Sequence, residues 1–293
     1  MDATVGADVR AEGLGLKGPR GWAFHGITLE AEPGSLIAIE GPSGSGRTSL
    51  LLALTGRMKP TEGVATVAGF KLPRHMAGLR RVSAVANVSG VTDLEPALTV
   101  GEHLRERALL QRRFEDSLRE LLHPRAQRAH EARLRVDAAL AAAGLDLETL
   151  PKGSRTAVRD LERPQEVRLS LALALLGRPR LLGVDDIDMK LSAPEREGIW
   201  DTLRSLTRAG TTVVAVCRAA PGDCLTVRTG GTRAERHKPG PENGSGNTPG
   251  DTPANEPRNT PEAGPGNTPA NESGKPEPKK EEAGDALTEA GRA

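Results

Sequence analysis

Eight consecutive residues, Gly41-Pro42-Ser43-Gly44-Ser45-Gly46-Arg47-Thr48, carry the clearest chemistry in the chain. They follow the apolar run Leu36–Glu40 and lead into an apolar stretch over residues 48–55, so they read as a turn from a buried strand into a helix. The glycines let successive backbone N–H groups turn inward around an anion, and the helix start adds its partial positive charge. The run fits the phosphate-loop pattern G-x-x-x-x-G-K-[ST] at every position except the lysine. Gly41, Ser43, Gly44, Ser45, Gly46, Arg47, Thr48 and the following Ser49 are therefore the candidates for holding phosphate, with Thr48 offering its hydroxyl to Mg²⁺. Arg47 keeps the positive charge, but a planar fork is a poor replacement for a compact ammonium curled over phosphates. A glycine-rich turn without a ligand is the plain alternative.

The elements around this loop predict an α/β domain. Residues 64–67 and 82–86 read as further strands. Residues 100–144 turn helical, with Leu104, Leu109, Leu110, Leu118, Leu121 and Leu122 set among arginines and glutamates. Residues 130–143 continue as an amphipathic helix that Gly144 would end. Residues 166–176 form a helix apolar almost all round, hence buried; residues 181–185 and Thr212–Cys217 read as core strands with a helix over 194–209 between them. Strands alternating with helices of these lengths indicate a mostly parallel sheet.

Composition bounds the partners. The chain has 293 residues, a net charge of +1 and only 2% aromatics, so its core rests on Leu, Val and Ala, and no electrostatic footprint for nucleic acid is present. The arginine-rich helix faces carry interleaved Glu and Asp and read as solvated surfaces. Cys217 and Cys224 are too few for a disulfide framework or a zinc site and read as small hydrophobes in a reducing compartment. The first residues lack the basic and apolar regions of a signal peptide, and no run nears the ~20 apolar residues that span a bilayer. A cytoplasmic chain is expected. From Thr229 to Ala293, Pro, Gly, Asn, Thr and Glu dominate and Leu287 is the only large aliphatic. Such a segment buries too little to offset an ordering entropy of ~1–2 kcal/mol per residue, so residues 229–293 are expected to be disordered.

Taken in order, the motifs resemble those of the ATP-binding cassette family over residues 14–228. Residues 26–34 resemble the lead-in to the phosphate loop, and residues 81–87 the approach to the Q-loop. Leu98-Thr99-Val100-Gly101-Glu102-His103-Leu104 resembles the opening of the family's helical subdomain. Leu161-Glu162-Arg163-Pro164-Gln165 stands where the family has its L-S-G-G-Q signature. Leu181-Leu182-Gly183-Val184-Asp185-Asp186 stands where the Walker B strand ends in Asp-Glu, and residues 210–218 where a strand leads to the switch histidine. The resemblance implies a P-loop NTPase core over residues 8–228, with a small antiparallel β subdomain and a helical subdomain at about 100–165. It implies ATP and Mg²⁺ as cofactors, with Thr48, Asp185 and Asn87 serving the metal through the nucleotide. The implied partners are a separate membrane permease and a second cassette, identical or not, with the chain lying on the inner membrane face through that permease.

The departures from the family pattern are physical. Asp186 replaces the glutamate that polarises water and is one methylene shorter; misplacement by about 1 Å can cost ~10²-fold in rate. Arg218 replaces the histidine and cannot share a proton. Asn87 replaces the Q-loop glutamine with a shorter arm, and Ser192 replaces an aspartate. The chain has no tyrosine to stack on adenine, leaving Trp22 as the nearest substitute. Arg163 and Pro164 add bulk to the signature, and Pro164 removes an N–H. Two readings follow: a transporter's nucleotide-binding subunit with slow hydrolysis, or an inactive pseudo-ATPase serving as scaffold or regulator.

Overall fold

The computed structural model describes residues 6–115 and 125–230. Two sheets organise the fold. Strands β1 (Val9–Gly18), β2 (Gly21–Ala31), β4 (Glu62–Val67) and β5 (Phe70–Leu72) form an antiparallel sheet in the order β2-β1-β4-β5. Strands β3 (Leu36–Glu40), β6 (Ser83–Ala86), β7 (Leu181–Val184), β8 (Thr212–Cys217) and β9 (Leu225–Arg228) form a parallel sheet in the order β6-β7-β8-β3-β9. The helices are α1 (Arg47–Leu54), α2 (Met76–Val82), α3 (Val100–Glu115), α4 (Arg125–Ala143), α5 (Arg163–Leu175) and α6 (Ala193–Arg208).

The parallel strands read as unbroken apolar runs because both faces are covered. In β3 and β8, Ile37, Ile39, Val214 and Val216 join a core shared with α1 and the antiparallel sheet. Their alternating neighbours Ala38, Val213, Ala215 and Cys217 join a second core with α4, α5 and α6, as the two-residue period of a strand requires. Gly183 of β7 lets α1 approach: an added Cβ would lie 3.0 Å from Leu51 Cδ1 and 3.1 Å from Thr55 Cγ2. Gly183→Val should therefore cost about 2 kcal/mol in urea unfolding. An unchanged midpoint would show that α1 can withdraw from the strand.

Among the described residues the helical insertion holds the helices α3 and α4, and its burial is uneven. Thr99 opens α3 with a capping box: its N–H and hydroxyl reach Glu102 Oε2 at 2.8 and 2.7 Å. Leu104 is buried, whereas Leu109 and Leu110 are exposed; Leu118, Leu121 and Leu122 lie outside the described residues. Helix α4 buries Ala139, Leu140 and Ala143, and Gly144 ends it at φ +66°. Helix α5 starts three residues earlier than its apolar run, at Arg163, because Glu162 and Gln165 cap it, with Glu162 N–H donating to Gln165 Oε1 at 2.9 Å.

One expectation is corrected at the end of the sheet. Composition puts Thr229 in a disordered tail, but it is buried and donates its N–H to the Glu40 carbonyl at 2.8 Å. It extends β9, so the change in composition precedes the end of the packed chain. The remainder of the expected tail, after Gly230, lies outside the described residues. Among the described residues, no helix is long and apolar enough to cross a membrane.

Candidate functional site

The loop of residues 41–48 joins β3 to α1, as its sequence context predicts. Gly44 and Gly46 take left-handed backbone at φ +80° and +83°, conformations that glycine adopts without strain. The loop is braced from both sides. A Cβ at Gly46 would fall 1.9 Å from the Ala23 carbonyl oxygen of β2, and one at Gly41 2.5 Å from Thr229 Oγ1. The Ser45 and Thr229 hydroxyls lie 2.6 Å apart and share a hydrogen bond. No short-range pattern links these residues, which is why sequence reading missed Thr229.

Beneath the loop, Thr48 Oγ1 donates to Asp185 Oδ2 at 2.8 Å. Strand β7 delivers Asp185 through Leu181, Leu182 and Val184, so its carboxylate arrives in an apolar setting, 6% exposed. Burial raises its pKa above the ordinary value; the Thr48 hydroxyl opposes this and the neighbouring Asp186 charge adds to it. Asp186 sits at φ +49°, with its N–H on Asp185 Oδ1 at 3.1 Å.

Asn87 closes the other side. Its Nδ2 donates to the Asp185 carbonyl at 2.7 Å, and its N–H to Ser170 Oγ of α5 at 2.7 Å. Arg163 then donates from Nη2 to Asn87 Oδ1 at 2.9 Å and from Nη1 to Glu166 Oε2 at 3.0 Å. A cleft of about 690 Å³ runs along Asn87, Arg163, Glu166, Asp185 and Asp186. The signature-position arginine thus turns into its own subunit, which its spacing alone did not indicate. Pro164 falls in the first turn of α5, where its missing N–H breaks no helix bond.

The structure brings Thr48, Asp185, Asp186 and Asn87 together. Arg47 points elsewhere: its Nη1 donates to the Cys217 carbonyl at the end of β8, at 2.7 Å. Arg218 follows on that strand and is exposed; its N–H is held by Asp188, and its side chain lines a cleft of about 540 Å³ with Ser43 and Arg228. Ser49 is half-buried in the first turn of α1. Trp22 is 46% exposed on β2, its ring 4.4 Å from that of His25 and 5.5 Å from Lys17 Nζ. Its neighbour Ala23, not the indole, is what meets the loop.

A magnesium–nucleotide fits the loop by one test and meets an obstacle by another. The space beside Gly44, where a Cβ would stand, is open to 4 Å, and Thr48 and Asp185 already converge as hard oxygen ligands. The obstacle is Arg47, whose Nη1 is tied to the Cys217 carbonyl at the end of β8.

The family model described as ABC transporter matches residues 24–188. The chain is 30% identical over 189 residues to the Nod factor export ATP-binding protein I of Cupriavidus metallidurans, covering 64% of this chain and 55% of that protein. It is 26% identical over 213 residues to ABC transporter A family member 8 of Arabidopsis thaliana, covering 72% and 21%. The chain thus spans about half the length of the first of these relatives and less of the second. A solved dimeric ATP-binding cassette in a post-hydrolysis state bound to ADP and Pi matches with a TM-score of 0.56 at 23% identity, over 72% of this chain and 88% of that one. A bacterial Atm1-family ABC exporter with ATP bound matches with a TM-score of 0.55 at 21% identity, over 75% and 35%. These structures are alike in fold. The match over residues 24–188, which contains both the 41–48 loop and Asp185, assigns the chain to the ABC transporter family of ATP-binding proteins.

Proposed function

We propose that the chain binds MgATP as the nucleotide-binding subunit of an ABC transporter, driving or regulating a separate membrane permease, with slow hydrolysis. The observation that carries this is the direct Thr48–Asp185 hydrogen bond under the 41–48 loop, a metal-binding pair assembled in advance. A bound magnesium–nucleotide would supply the phosphoanhydride and the cation's charge. Thr48 and Asp185 would hold the metal, and the loop N–H groups the phosphates. Asp186 has the short arm of an aspartate on a left-handed backbone, so it orients water poorly. Asn87 is held by Arg163 and the Asp185 carbonyl, away from a ligand role. The family context supports pairing with a second cassette, and location on the inner membrane face through the permease.

The inactive-scaffold reading is favoured by one observation, the Arg47–Cys217 bond, which draws the cation at the lysine position toward the end of β8. Calorimetric titration of the full chain with MgATP separates the two readings. Binding in the micromolar to low millimolar range, with turnover far below the ~10 s⁻¹ of an ordinary enzyme, is expected. No heat at several millimolar would establish the scaffold reading, and ordinary turnover would overturn slow hydrolysis.

A further inference from the structure

We propose that the cleft between α2, α3 and the end of α5 is an anion site, built to take a phosphate-bearing group among Arg57, Arg80, Arg81 and Arg107. The cleft measures about 680 Å³; Ser83 and Gln111 also line it, and among the described residues no carboxylate does. Other arginines of the fold sit against acids: Arg204 meets Glu197, Asp201 and Asp223, and Arg10 meets Glu30. None of these four makes an ion pair among the described residues. Three are held instead by neutral acceptors. Arg57 donates to Thr55 O at 2.8 Å and to Ser83 Oγ and O at 3.0 and 3.2 Å. Arg80 Nη1 donates to Gly56 O at 2.9 Å, and Arg107 Nε to Leu173 O at 3.3 Å.

These bonds fix the guanidiniums without neutralising them. Arginine carries five N–H donors, so Arg80 and Arg107 each keep most of theirs for a ligand. Burial, with Arg107 and Arg80 adding like charge, brings Arg57 down to about 10, the condition of a cation lacking a counter-ion. Paired forks match the tetrahedral oxygens of phosphate, and a group carrying two or more charges offsets several arginines where one carboxylate could not. No residue of the 41–48 loop and neither Asp185 nor Asp186 lines this cleft, so it is separate from the nucleotide site and independent of the function proposed above. Arg107 belongs to the helical insertion and Arg57, Arg80 and Arg81 to the core, so an anion here would tie the two together.

Soluble phosphate and an anionic lipid headgroup share this chemistry, and the test separates them. The full chain is treated with phenylglyoxal at constant ionic strength, and modification is read at each arginine by mass spectrometry. One arm adds inorganic pyrophosphate, another phosphatidylglycerol vesicles, and a control arm phosphatidylcholine vesicles. Exposed Arg80 and Arg81 should be modified about tenfold more slowly at about ten times Kd, while exposed Arg20 and Arg155 are unaffected. Protection by pyrophosphate supports a soluble ligand; protection by the anionic vesicles alone supports a headgroup. In Arg107→Gln the protection should be lost. If that variant fails to fold, Arg81→Gln, an exposed position with Arg80 as reporter, replaces it. Absence of protection in both arms, equal slowing of Arg20 and Arg155, or protection that survives these substitutions overturns the proposal.

Discussion

Gly46→Ala should destabilise the fold by on the order of 3 kcal/mol, clearly more than Gly44→Ala, although both glycines belong to the same motif. Both sit at nearly the same positive φ, so both incur the left-handed penalty of about 1–2 kcal/mol for an L residue. The difference is what a Cβ meets. At Gly44 nothing stands within 4 Å, whereas at Gly46 the Ala23 carbonyl would be 1.9 Å away. That oxygen is backbone, and the residues on either side of Ala23, Trp22 and Phe24, pair with Lys17 and Leu16 of β1, so it cannot swing aside as a side-chain end can. Urea unfolding of the two variants checks this. Equal losses would mean that β2 yields and that the loop is braced only on its Thr229 side.

Asp185→Asn should move stability and binding in opposite directions. Burial holds the Asp185 carboxyl above its ordinary 3.8, so the folded state disfavours the charged form. A raised folded pKa contributes stability below the unfolded value, and that contribution is lost as pH rises through the folded one. At neutral pH the wild-type fold therefore carries a buried charge that the Thr48 hydroxyl, the Asp186 N–H and the Arg47 charge offset only in part. Asparagine removes the charge and keeps one oxygen to accept from Thr48, giving up the weaker 3.1 Å bond from the Asp186 N–H. The apo variant should melt higher than wild type at pH 7, with the gap closing as pH falls. Its affinity for MgATP should drop at least about 10–100-fold, while affinity for metal-free ATP changes little. A lower melting temperature at pH 7 would show that the Thr48, Asp186 and Arg47 interactions outweigh the burial of the Asp185 charge, and an unchanged MgATP affinity would remove it from the metal site.

Much of this architecture is legible in the sequence because it depends on short periods. The strands Leu36–Glu40 and Thr212–Cys217 appear as apolar runs bounded by turn residues, and the helix expected over 194–209 stands as α6 at Ala193–Arg208. The antiparallel hairpin is harder to see residue by residue. In β1, Gly13 and Gly15 interrupt the pattern, and register shifts between Ala11 and Leu14 and between Leu14 and Leu16 break the alternation. Only the family resemblance supplies an antiparallel subdomain there. Among the candidate site residues, spacing names Thr48 and Asp185 but does not say that they bond each other. Nor does it say that Arg47 leaves the loop, or that Arg163 reaches Asn87 across an interval of 76 residues. Side-chain direction at a helix start depends on tertiary neighbours, and no local window contains them.

The pairing of β3 has a consequence for how the molecule comes into being. The strand that ends in the 41–48 loop lies between β8 and β9, both drawn from the last part of the described chain. As the chain leaves the ribosome, β3 emerges early and waits for both neighbours, and Thr229, which braces Ser45, emerges later still. Contacts of such sequence separation close slowly and late. A nascent chain stalled before residue 212 would therefore expose both edges of β3 and have no formed phosphate loop, whatever its helices had already achieved. In vivo, the loop would be among the last parts of the molecule to mature, and its unpaired parent strand the segment most in need of protection in the interval.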